Sequence, residues 1–466
     1  MNKHLRLYNT MSRCVETIFP QKDGIGFYCC GPTVYNYAHI GNFRTFIAAD
    51  FLRRVLILGG YRPNYVRNIT DVDDKTIVGA QKDGVSLQQF TRHWEGIFHE
   101  DCQALHLLPP DVEPRAAEHI AEQISLIEKL IAKKHAYVRD GSVYFAIGSW
   151  DHYGRLSRVD GRELRGSQEI VVAKDAAEDF VLWKAAKESD GEVFWDSPWG
   201  RGRPGWHIEC SAMALKYLGE NFAIHGGGID LCFPHHENEI AQTEAATGSP
   251  IAKHWFHVAH LHIGGEKMSK SLGNLYTLAD IRKMGYEPTV LRYTLLAGHY
   301  RQSLNFTTES LHAAQKALEQ ITKFCQKLWK ISEFNEKMAS EFHRLGDIWE
   351  MLLQDLNTPA ALGKMFERMH SFSGDTLSSV EATEELGEWR RLLFAFGLEE
   401  YCCSPRQPMA EISVPQAIEE LAQERLLARK MKNFSRADEL RKALKDEGWD
   451  VKDSFDGYQL IFRERI

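Results

Sequence analysis

The sequence predicts an α/β fold, in which a parallel-sheet domain is split by an insertion and followed by a helical bundle and a small mixed α/β unit. Three observations lead to this prediction. Strand, helix and strand patterns follow one another within about 45 residues near the start, as in a right-handed βαβ unit. The α/β pattern stops near residue 110 and resumes near residue 200. After residue 310, apolar residues recur at helical spacing.

Composition and charge exclude several classes of protein. The chain has 466 residues, of which 44% are hydrophobic and 26% charged, with 35 glycines and 15 prolines. These values exclude disordered and collagen-like chains, and the length suggests about three domains. Because the formal net charge is −8, a polyanionic partner has to meet local basic patches.

The distribution of apolar residues and cysteines predicts a cellular location. The N-terminal segment has no apolar run, and no stretch of the chain approaches the roughly 18 apolar residues of a membrane span. Nine cysteines at irregular spacing indicate reduced thiols and not a disulfide framework. We therefore expect a cytoplasmic protein that does not bind membranes.

The first predicted elements are a strand at 25–31, a helix at 41–58 and a second strand at 64–69. The helix is free of proline and carries apolar residues at three- and four-residue steps. In a βαβ unit, ligands bind where the loops leave the carboxyl ends of the strands. That edge includes Cys30 and His39.

The middle of the chain combines an insertion with the second half of the sheet. Pro109 and Pro110 open a stretch that we expect to be helical, and polar segments with scattered glycines follow. The α/β pattern resumes at 222–225, before three glycines, and an extended segment covers 255–263. The predicted divisions are 1–110 and 201–275 for the two halves of the sheet domain, 111–200 for the insertion, 276–310 for a contact region, 311–405 for the bundle and 406–466 for the C-terminal unit.

The C-terminal unit is expected to contain two helices and a hairpin. The first helix covers 416–432, and 435–438 have the pattern of a capping box at the start of the second, which ends at Gly448. Asp456 and Gly457 between two apolar runs are a type I′ turn signal.

A short motif, His39, Ile40, Gly41 and Asn42, opens the first long helix. Backbone amides at a helix start attract phosphate, His39 and Asn42 can donate hydrogen bonds to it, and Gly41 lets a planar base approach the backbone. The alternative is a helix N-terminus with an incidental histidine. Four residues alone do not decide between the two.

A second motif, with Lys267, Ser269, Lys270 and Ser271, lies in a glycine-flanked loop. Two lysines and two hydroxyls on such a loop can close over a triphosphate and neutralise the charge that develops on a leaving pyrophosphate. The alternative is a solvated basic loop. The two motifs in this order on an α/β background are more specific than either alone.

A scattered set of residues has the chemistry of a zinc site. His235 and Glu239 lie four residues apart on one helical face, and Cys210 and Cys30 add two sulfurs. The alternative is a pair of buried cysteines and a surface helix rich in histidine and acid. Possible substitutes for the four assigned ligands are His236, Cys29 and Cys232.

Four later histidines, at 254, 257, 260 and 262, are predicted to be structural. Alternation places His260 and His262 on the strand face opposite His257, which favours a structural role over a second metal site.

Together the motifs resemble the HIGH and KMSKS elements of class I aminoacyl-tRNA synthetases, and most closely those of the cysteinyl-tRNA synthetases. The similarity covers the whole predicted sheet domain. It is carried by CGPTVY at 30–35, HIGN at 39–42, NITDVDDK at 68–75, PGWHIEC at 204–210, HGGGID at 225–230, FPHHENE at 233–239 and KMSKS at 267–271.

The resemblance implies a ligase that forms cysteinyl-adenylate from ATP and L-cysteine and then transfers cysteine to tRNA(Cys). It implies a Rossmann-type catalytic domain, a stem-contact region at 276–310, anticodon-binding parts after 311, a monomer, and Mg²⁺ bound with ATP. It assigns one Zn²⁺ per chain to Cys30, Cys210, His235 and Glu239. It assigns catalysis to His39, Asn42, Lys267 and Lys270, ATP binding to these four and Gly41, Gly226, Gly227, Gly228, Asp230 and Ser269, and substrate binding to Thr70, Trp206 and His225.

Two features qualify the resemblance. Asn42 replaces the second histidine of the HIGH element, so its contact to ATP is expected to be an amide hydrogen bond, which preserves activity because the task is donation. The chain has only one modest insertion, and we expect no editing domain. A pocket based on shape separates near-isosteres such as cysteine and serine only ~10- to 200-fold, whereas zinc favours a thiolate by its bonding.

Two alternative functions follow from the same residues. One is a cysteine ligase that joins the adenylate to an amino-sugar, as in mycothiol biosynthesis; the roughly 155 residues after 311 favour the tRNA reading. The other is a non-catalytic, zinc-stabilised RNA-binding protein, against which the intact lysine motif and His39 argue.

Overall fold

A computed structural model of the chain forms two compact units, residues 1–402 and 403–466. Within each unit the secondary structure is well defined, and no helix among the described residues is both long and apolar enough to cross a membrane. The described residues are 4–20, 24–159, 174–267, 274–332, 337–372, 377–403, 416–431, 433–447, 449–454 and 457–462.

The first unit contains thirteen strands and twelve α-helices among its described residues. The strands are β1 (Arg6–Asn9), β2 (Cys14–Thr17), β3 (Ile25–Cys29), β4 (Pro63–Arg67), β5 (Ala136–Arg139), β6 (Ser142–Phe145), β7 (Phe180–Ala185), β8 (Gly202–Pro204), β9 (Phe222–Gly228), β10 (Ala252–Val258), β11 (Leu261–Ile263), β12 (Glu266–Lys267) and β13 (Leu304–Phe306). The helices are α1 (Ile40–Leu58), α2 (Asp74–Asp83), α3 (Leu87–Ala104), α4 (Ile120–Ala132), α5 (Trp206–Leu218), α6 (Glu237–Thr247), α7 (Leu278–Lys283), α8 (Pro288–Leu296), α9 (Thr308–Ile331), α10 (Gly346–Leu353), α11 (Thr358–Ser371) and α12 (Ser379–Phe396).

The central sheet has four parallel strands in the order β10-β9-β3-β4. Its strands are buried, and α1 crosses from β3 to β4, as the sequence predicts for a βαβ unit. The two halves of the domain meet between β3 and β9, where parallel α/β sheets bind ligands at the carboxyl ends of their strands. The predicted fold class is confirmed.

The insertion folds differently from the prediction. No helix begins at Pro109 or Pro110, because the backbone there runs extended along β4: the Arg67 amide donates to the Val112 carbonyl (3.1 Å), and the Ile69 amide donates to the Pro114 carbonyl (2.8 Å). The helix α4 starts only at Ile120. The polar segments that follow form an antiparallel sheet, β5-β6-β7-β8, that the sequence pattern did not predict.

The extended segment predicted at 255–263 is two strands, β10 and β11, with a break between them. Alternation therefore cannot be carried from His257 to His260, and the argument that placed these histidines on opposite faces was wrong. His257 is buried, and His260 is half-buried.

Helical packing dominates the chain after β13. The long helix α9 buries Leu311, Ala314, Leu318 and Ile321, the residues whose spacing predicted it. This helix packs on α12 and α8 in a hydrophobic core that continues beneath α1. Subdivision of this part into contact region and bundle stays a prediction.

The second unit contains two helices, α13 (Gln416–Lys430) and α14 (Phe434–Asp446), and a hairpin of β14 (Trp449–Ser454) and β15 (Gly457–Phe462). The predicted cap at 435–438 was wrong, because Asn433 caps the helix by accepting from the Arg436 amide (3.2 Å). Ser454 pairs with Gly457, so Gly457 lies in a strand and not in the turn, and Asp456 lies outside the described residues.

Candidate metal and nucleotide site

Four side chains from separate elements meet at the carboxyl edge of the central sheet. Cys30 follows β3 directly, Cys210 lies on α5, His235 lies in a wide helical turn at 232–236, and Glu239 is in the first turn of α6. One ligand atom from each of these residues lies within 4.8 Å of all the others. The four residues are at most 6% exposed.

The distances within this cluster are those of groups in direct contact. The two thiol sulfurs lie 3.8 Å apart, and Glu239 Oε1 lies 3.1 Å from His235 Nε2 and 3.6 Å from Cys30 Sγ. His235 Nε2 is buried and makes no well-directed hydrogen bond to any described residue. A buried nitrogen without a well-directed hydrogen bond, beside two sulfurs and a carboxylate, is placed to bind a further group.

A second set of four residues overlaps the first. Cys30, His225, His236 and Glu239 also bring one ligand atom each within 4.8 Å of the others. In this set, however, His225 Nε2 already bonds Glu239 Oε2 at 2.9 Å. His236 has only one sulfur near it, with Nε2 3.4 Å from Cys30 Sγ.

The hydrogen bonds behind the cluster favour the first set. Ligating histidines commonly bond through their other ring nitrogen to a group that fixes the ring. His235 Nδ1 lies 2.9 Å from His207 Nδ1, which turns Nε2 towards the thiols. His225 Nε2 occupies Oε2 of Glu239, which leaves Oε1 facing the cluster.

His236 belongs to a chain of hydrogen bonds that leads away from the cluster. Its Nδ1 lies 2.8 Å from His257 Nε2, and His257 Nδ1 lies 2.8 Å from the Thr10 hydroxyl. The close approach of His236 requires Gly227, because a Cβ at that position would lie 2.9 Å from His236 Cε1. His257 therefore orients His236, which agrees with a structural role.

The electrostatics of the cluster favour the anionic forms of Cys210 and Glu239 and the neutral thiol of Cys30. A hydrogen bond from the Cys30 thiol lowers the pKa of Cys210 to about 6, whereas burial raises the pKa of Cys30 well above its usual value. Burial alone would raise the pKa of Glu239, but His225 and His235 bring it down to about 2. Burial alone would lower the pKa of His235, and Cys210 and Glu239 raise it to about 10.

These residues fit a zinc ion by chemistry and by position. Zinc accepts sulfur, imidazole nitrogen and carboxylate oxygen in tetrahedral sites, and the cluster offers two, one and one of these. A cation would compensate the charges of the Cys210 thiolate and the Glu239 carboxylate.

Two further residues assigned to substrate binding lie beside the cluster. The Trp206 ring is 4.4 Å from the His235 ring, centroid to centroid, and Trp206 is 40% exposed. Thr70 is buried; its hydroxyl donates to Glu209 Oε2 at 2.9 Å and accepts from Asn68 Nδ2 at 3.2 Å. His225, the third, is buried against Glu239.

Sequence reasoning missed several residues that support the cluster. His207 bonds His235 and Asn68 accepts from Cys210, while Glu209 accepts from Thr70, and Thr10 bonds His257, which in turn bonds His236. For His207 and Glu209 a signal existed, because both lie within the PGWHIEC motif. No local pattern in the sequence points to Thr10.

The HIGN motif forms the start of α1. His39 is the N-cap: its Nδ1 accepts from the Asn42 amide (3.2 Å), while Asn42 Oδ1 accepts from the His39 amide (3.1 Å). Each side chain thus satisfies one backbone donor of the first turn, and the Asn42 side-chain oxygen is used inside the protein. Gly41 is half-buried in this turn.

The segment that follows the lysine motif contacts the start of α1. Lys267 is the last residue of β12, and Ser269, Lys270 and Ser271 lie outside the described residues. Directly after the motif, the Tyr276 carbonyl accepts from the Ile40 amide at 2.9 Å, and Thr277 pairs with His39 in a short β-bridge. The chain after the lysine motif is therefore fixed to the residues of the HIGN motif.

The glycine run lies at the end of β9, next to β3. A Cβ at Gly226 would press on Phe27 and Phe256 at 3.2 Å, and a Cβ at Gly228 would lie 2.5 Å from Asp230 Oδ1. Asp230 is exposed. The run thus lets neighbouring side chains pack closely on the backbone at the point where the two halves of the sheet meet.

Comparisons with known proteins agree with this architecture. Residues 17–316 match the family of the tRNA synthetases class I (C) catalytic domain. The chain is 48% identical to a cysteine–tRNA ligase of Opitutus terrae over 469 residues, which cover 98% of each chain. It is 41% and 40% identical to the cysteine–tRNA ligases of Brachyspira hyodysenteriae and Chlamydia muridarum, over 98% of this chain and 98% and 99% of theirs.

Solved structures share the fold at low sequence identity. Mycobacterium tuberculosis methionyl-tRNA synthetase in complex with methionyl-adenylate matches 80% of this chain and 90% of its own, with a TM-score of 0.56 and 15% identity. Agrobacterium radiobacter K84 agnB2 LeuRS, in a ternary complex with tRNA and LeuAMS, matches 82% and 85%, with a TM-score of 0.60 and 11% identity.

Proposed function

The chain belongs to the cysteine–tRNA ligases, a family of class I aminoacyl-tRNA synthetases, and on this premise we propose that it activates L-cysteine with ATP and charges tRNA(Cys), with zinc selecting the substrate thiolate. The observation that carries the zinc role is the buried meeting of Cys30, Cys210, His235 and Glu239 at the end of β3.

The four residues offer what thiolate selection needs. A zinc ion held by them would act as a Lewis acid that bonds a sulfur in preference to a hydroxyl oxygen. His207 fixes the ring of His235, and His225 fixes the carboxylate of Glu239, so the donors are held in place before substrate arrives. Thr70 and Trp206 line the same corner and position the rest of the amino acid.

Activation of the carboxyl group takes place at the start of α1. The cysteine carboxylate attacks the α-phosphorus of ATP, forms a phosphate anhydride and expels pyrophosphate, so that no protein nucleophile is needed. His39 and Asn42 hold the phosphates, Gly41 and the run Gly226–Gly228 with Asp230 accommodate adenosine, and the lysine motif stabilises the pyrophosphate. The bond between Ile40 and Tyr276 supports this grouping, since it fixes the chain after the lysine motif to the same helix start.

The second step needs only positioning. A terminal ribose hydroxyl of tRNA attacks the carbonyl carbon of the adenylate, and AMP leaves. The chain carries about 155 residues beyond 311 for binding tRNA away from the reaction centre. Binding of Mg²⁺ with ATP, the cytoplasmic location and the monomeric state stay predictions.

The proposal is tested by measuring metal content together with cysteine-dependent exchange of pyrophosphate into ATP, with serine as the control amino acid. We expect one zinc per chain, exchange with cysteine, and serine rejected well beyond the ~200-fold that shape allows. Exchange at the native rate by metal-free protein would contradict the zinc role.

A single substitution tests whether the cluster binds the metal. Cys210→Ser is expected to lose zinc and to lower cysteine-dependent exchange by about 100-fold or more, while ATP binding remains. The matched control is Cys232→Ser, which changes another buried cysteine that belongs to neither ligand set and is expected to retain the metal. Equal metal loss in both variants would show that folding, and not ligation, is affected.

A further inference from the structure

A cavity of about 290 Å³ lies between the insertion and the β4 edge of the central sheet. Val72 and Asp73 form one wall, strands β7 and β8 of the insertion form another, and Trp206 and His207 close the end nearest the metal cluster. Because His207 bonds His235 and the Trp206 ring contacts the His235 ring, the cavity and the cluster share a wall. Its volume is near the lower end of the range for small-molecule sites, roughly 300–1,000 Å³.

Two cations face each other on the wall of this cavity. Lys184 of β7 and Arg203 of β8 are directly opposed in the antiparallel pair, and both line the cavity. Like charges in that position are unfavourable. Asp74, next to the cavity-lining Asp73, binds Lys184 at 2.8 Å and also binds Arg203, and the buried Asp190 lies 3.7 Å from Arg203 on its other side.

Asp74, the third charged residue of this arrangement, lies at the rim of the cavity. The Asp74 side chain is about half exposed, whereas those of Lys184 and Arg203 are 17% and 4% exposed. A phosphate group can take the place of such a carboxylate, because both offer oxygens to the same donors and phosphate binds Arg and Lys at least as well. Lys184 and Arg203 thus form an anion site that the Asp74 carboxylate occupies.

Topology separates this cavity from the place of ATP. The HIGN motif and the glycine run lie where β3 meets β9, whereas Val72 and Asp73 follow β4 on the opposite side of β3. The cavity therefore offers a second route to the amino acid held at the cluster, and the exposed face of Trp206 gives a base a surface to stack on.

We propose that this cavity receives the 3′-terminal nucleotide of tRNA, with its base against Trp206 and its phosphate bound by Lys184 and Arg203 in place of Asp74. The proposal rests on the proposed function, and it assigns the acceptor end to named residues of this chain. The ion pairs to Asp74 keep the site closed until the nucleic acid arrives.

The test compares two tRNA(Cys) transcripts, one complete and one lacking its 3′-terminal nucleotides, at one fixed salt concentration. The wild type is expected to bind the complete transcript at least fivefold more tightly. In Lys184→Met, which keeps the aliphatic stem but removes the charge, we expect this ratio to fall towards one. Lys184→Arg is expected to restore it.

The matched control is Lys216→Met. Lys216 lies on α5 and also makes an ion pair with the insertion, to Glu122 at 2.6 Å, but it does not line the cavity. We expect this variant to keep the wild-type ratio. If Lys216→Met and Lys184→Met lower the ratio equally, or if Lys184→Met leaves it unchanged, the proposal is wrong.

Half-reactions separate this site from those of the other substrates. Lys184→Met is expected to keep cysteine-dependent pyrophosphate exchange within twofold of wild type, while transfer from preformed adenylate to tRNA falls at least tenfold. An equal loss in both steps would place ATP or cysteine in the cavity and overturn the assignment. Absence of exchange and charging in the wild type would instead refute the proposed function.

Asp74→Asn tests the closing contact by itself. Because the amide no longer competes for the two cations, the ratio between complete and truncated transcripts is expected to rise above the wild-type value. A lower ratio would mean that Asp74 supports the bound phosphate from its present position and does not compete with it.

Discussion

Single residues around Glu239 set the chemistry of the candidate site. One oxygen of this carboxylate is taken by His225, and the other faces His235 and Cys30. Both histidines lower its pKa to about 2 against the effect of burial, so it remains ionised at any pH at which the protein works. A buried carboxylate held in this way is a ready ligand for a cation.

Neighbouring residues of the chain have different roles here. His235 is held by His207 and points its Nε2 at the thiols and Glu239, whereas His236 is held by His257. Burial lowers the pKa of His236 well below its usual value, so it stays neutral. A substitution of either residue is therefore not equivalent to a substitution of the other.

At the residue scale, Asp101 gives a prediction about stability and pH. It is 8% exposed on α3, and burial, only partly offset by Arg282, raises its pKa to about 6. The folded state therefore holds its proton more tightly than the unfolded state, and ionising Asp101 costs stability as the pH rises from about 4 to about 6. Asp101→Asn is expected to stabilise the protein by about 1–3 kcal/mol above pH 6 and to have no effect below pH 4, measured by chemical unfolding.

Asp280 is the control for this measurement, since its pKa is shifted the other way. Hydrogen bonds from Thr277 lower the pKa of Asp280 at the start of α7. Asp280→Asn should therefore destabilise the protein at pH 7, and the loss should shrink as the pH falls and the wild-type carboxyl becomes protonated in both states. A stabilising effect in both variants would point to net charge as the cause.

At the scale of elements, the start of α1 combines a helix cap with the proposed ATP site. The reciprocal bonds of His39 and Asn42 use the Asn42 oxygen to hold the first turn, and the amide nitrogen is the donor assigned to ATP. Under the proposed function, one side chain therefore has a structural and a binding task, which separate atoms perform.

Asn42→Asp is expected to separate these tasks. The carboxylate keeps the accepting oxygen and suits a helix N-terminus, so the unfolding midpoint should be unchanged or slightly higher. The aspartate lacks the amide N–H donor and repels the phosphates of ATP. Cysteine-dependent exchange should therefore fall by at least about tenfold, because ATP binds more weakly.

The same change at another cap provides the control. Asn357 caps α11 by accepting from the Ala360 amide at 3.2 Å, and Asn357→Asp is expected to leave exchange unaffected. If Asn42→Asp keeps full exchange, the assigned contact of Asn42 to ATP is wrong.

At the scale of the whole first unit, one buried carboxylate joins the sheet domain to the helices that follow. Asp50 on α1 binds Arg54 at 2.9 Å and Arg292 of α8 at 2.5 Å. The same two arginines donate to the carbonyls of Phe394 and Phe396 at the end of α12. Three helices from distant parts of the chain thus meet in one network that is 0–3% exposed.

Asp50→Ala is expected to destabilise the first unit by about 3–5 kcal/mol, because it leaves two buried arginines without their carboxylate. The measurement is chemical unfolding followed through the first unit. Glu399→Ala serves as the control: Glu399 binds the same Arg54 at 3.5 Å but is 42% exposed, so its loss should cost at most about 1 kcal/mol. Equal effects would show that burial of the pair is not what stabilises this junction.

Local patterns predicted much of this molecule. The helix at 41–58, the strands beside it and the helix after 308 depend on residues a few positions apart, and all are present. The insertion was predicted poorly, because the extended backbone after Pro110 is set by its pairing with β4 and not by its own residues. Local patterns also failed at the start of α14, where Asn433 caps the helix and the predicted cap begins two residues later.

By itself, the sequence determined the family, the order of the motifs and the kinds of donor atoms available for a metal. Only the tertiary structure decided which donors meet, because Cys30 and Cys210 are brought together by the packing of β3 against a helix 180 residues later. It also decided that His207 and His257 orient their partners and that Lys184 and Arg203 share one carboxylate beside a cavity. The residue types determine which chemical groups are present, whereas contacts between distant residues form only when the chain is packed in its fold.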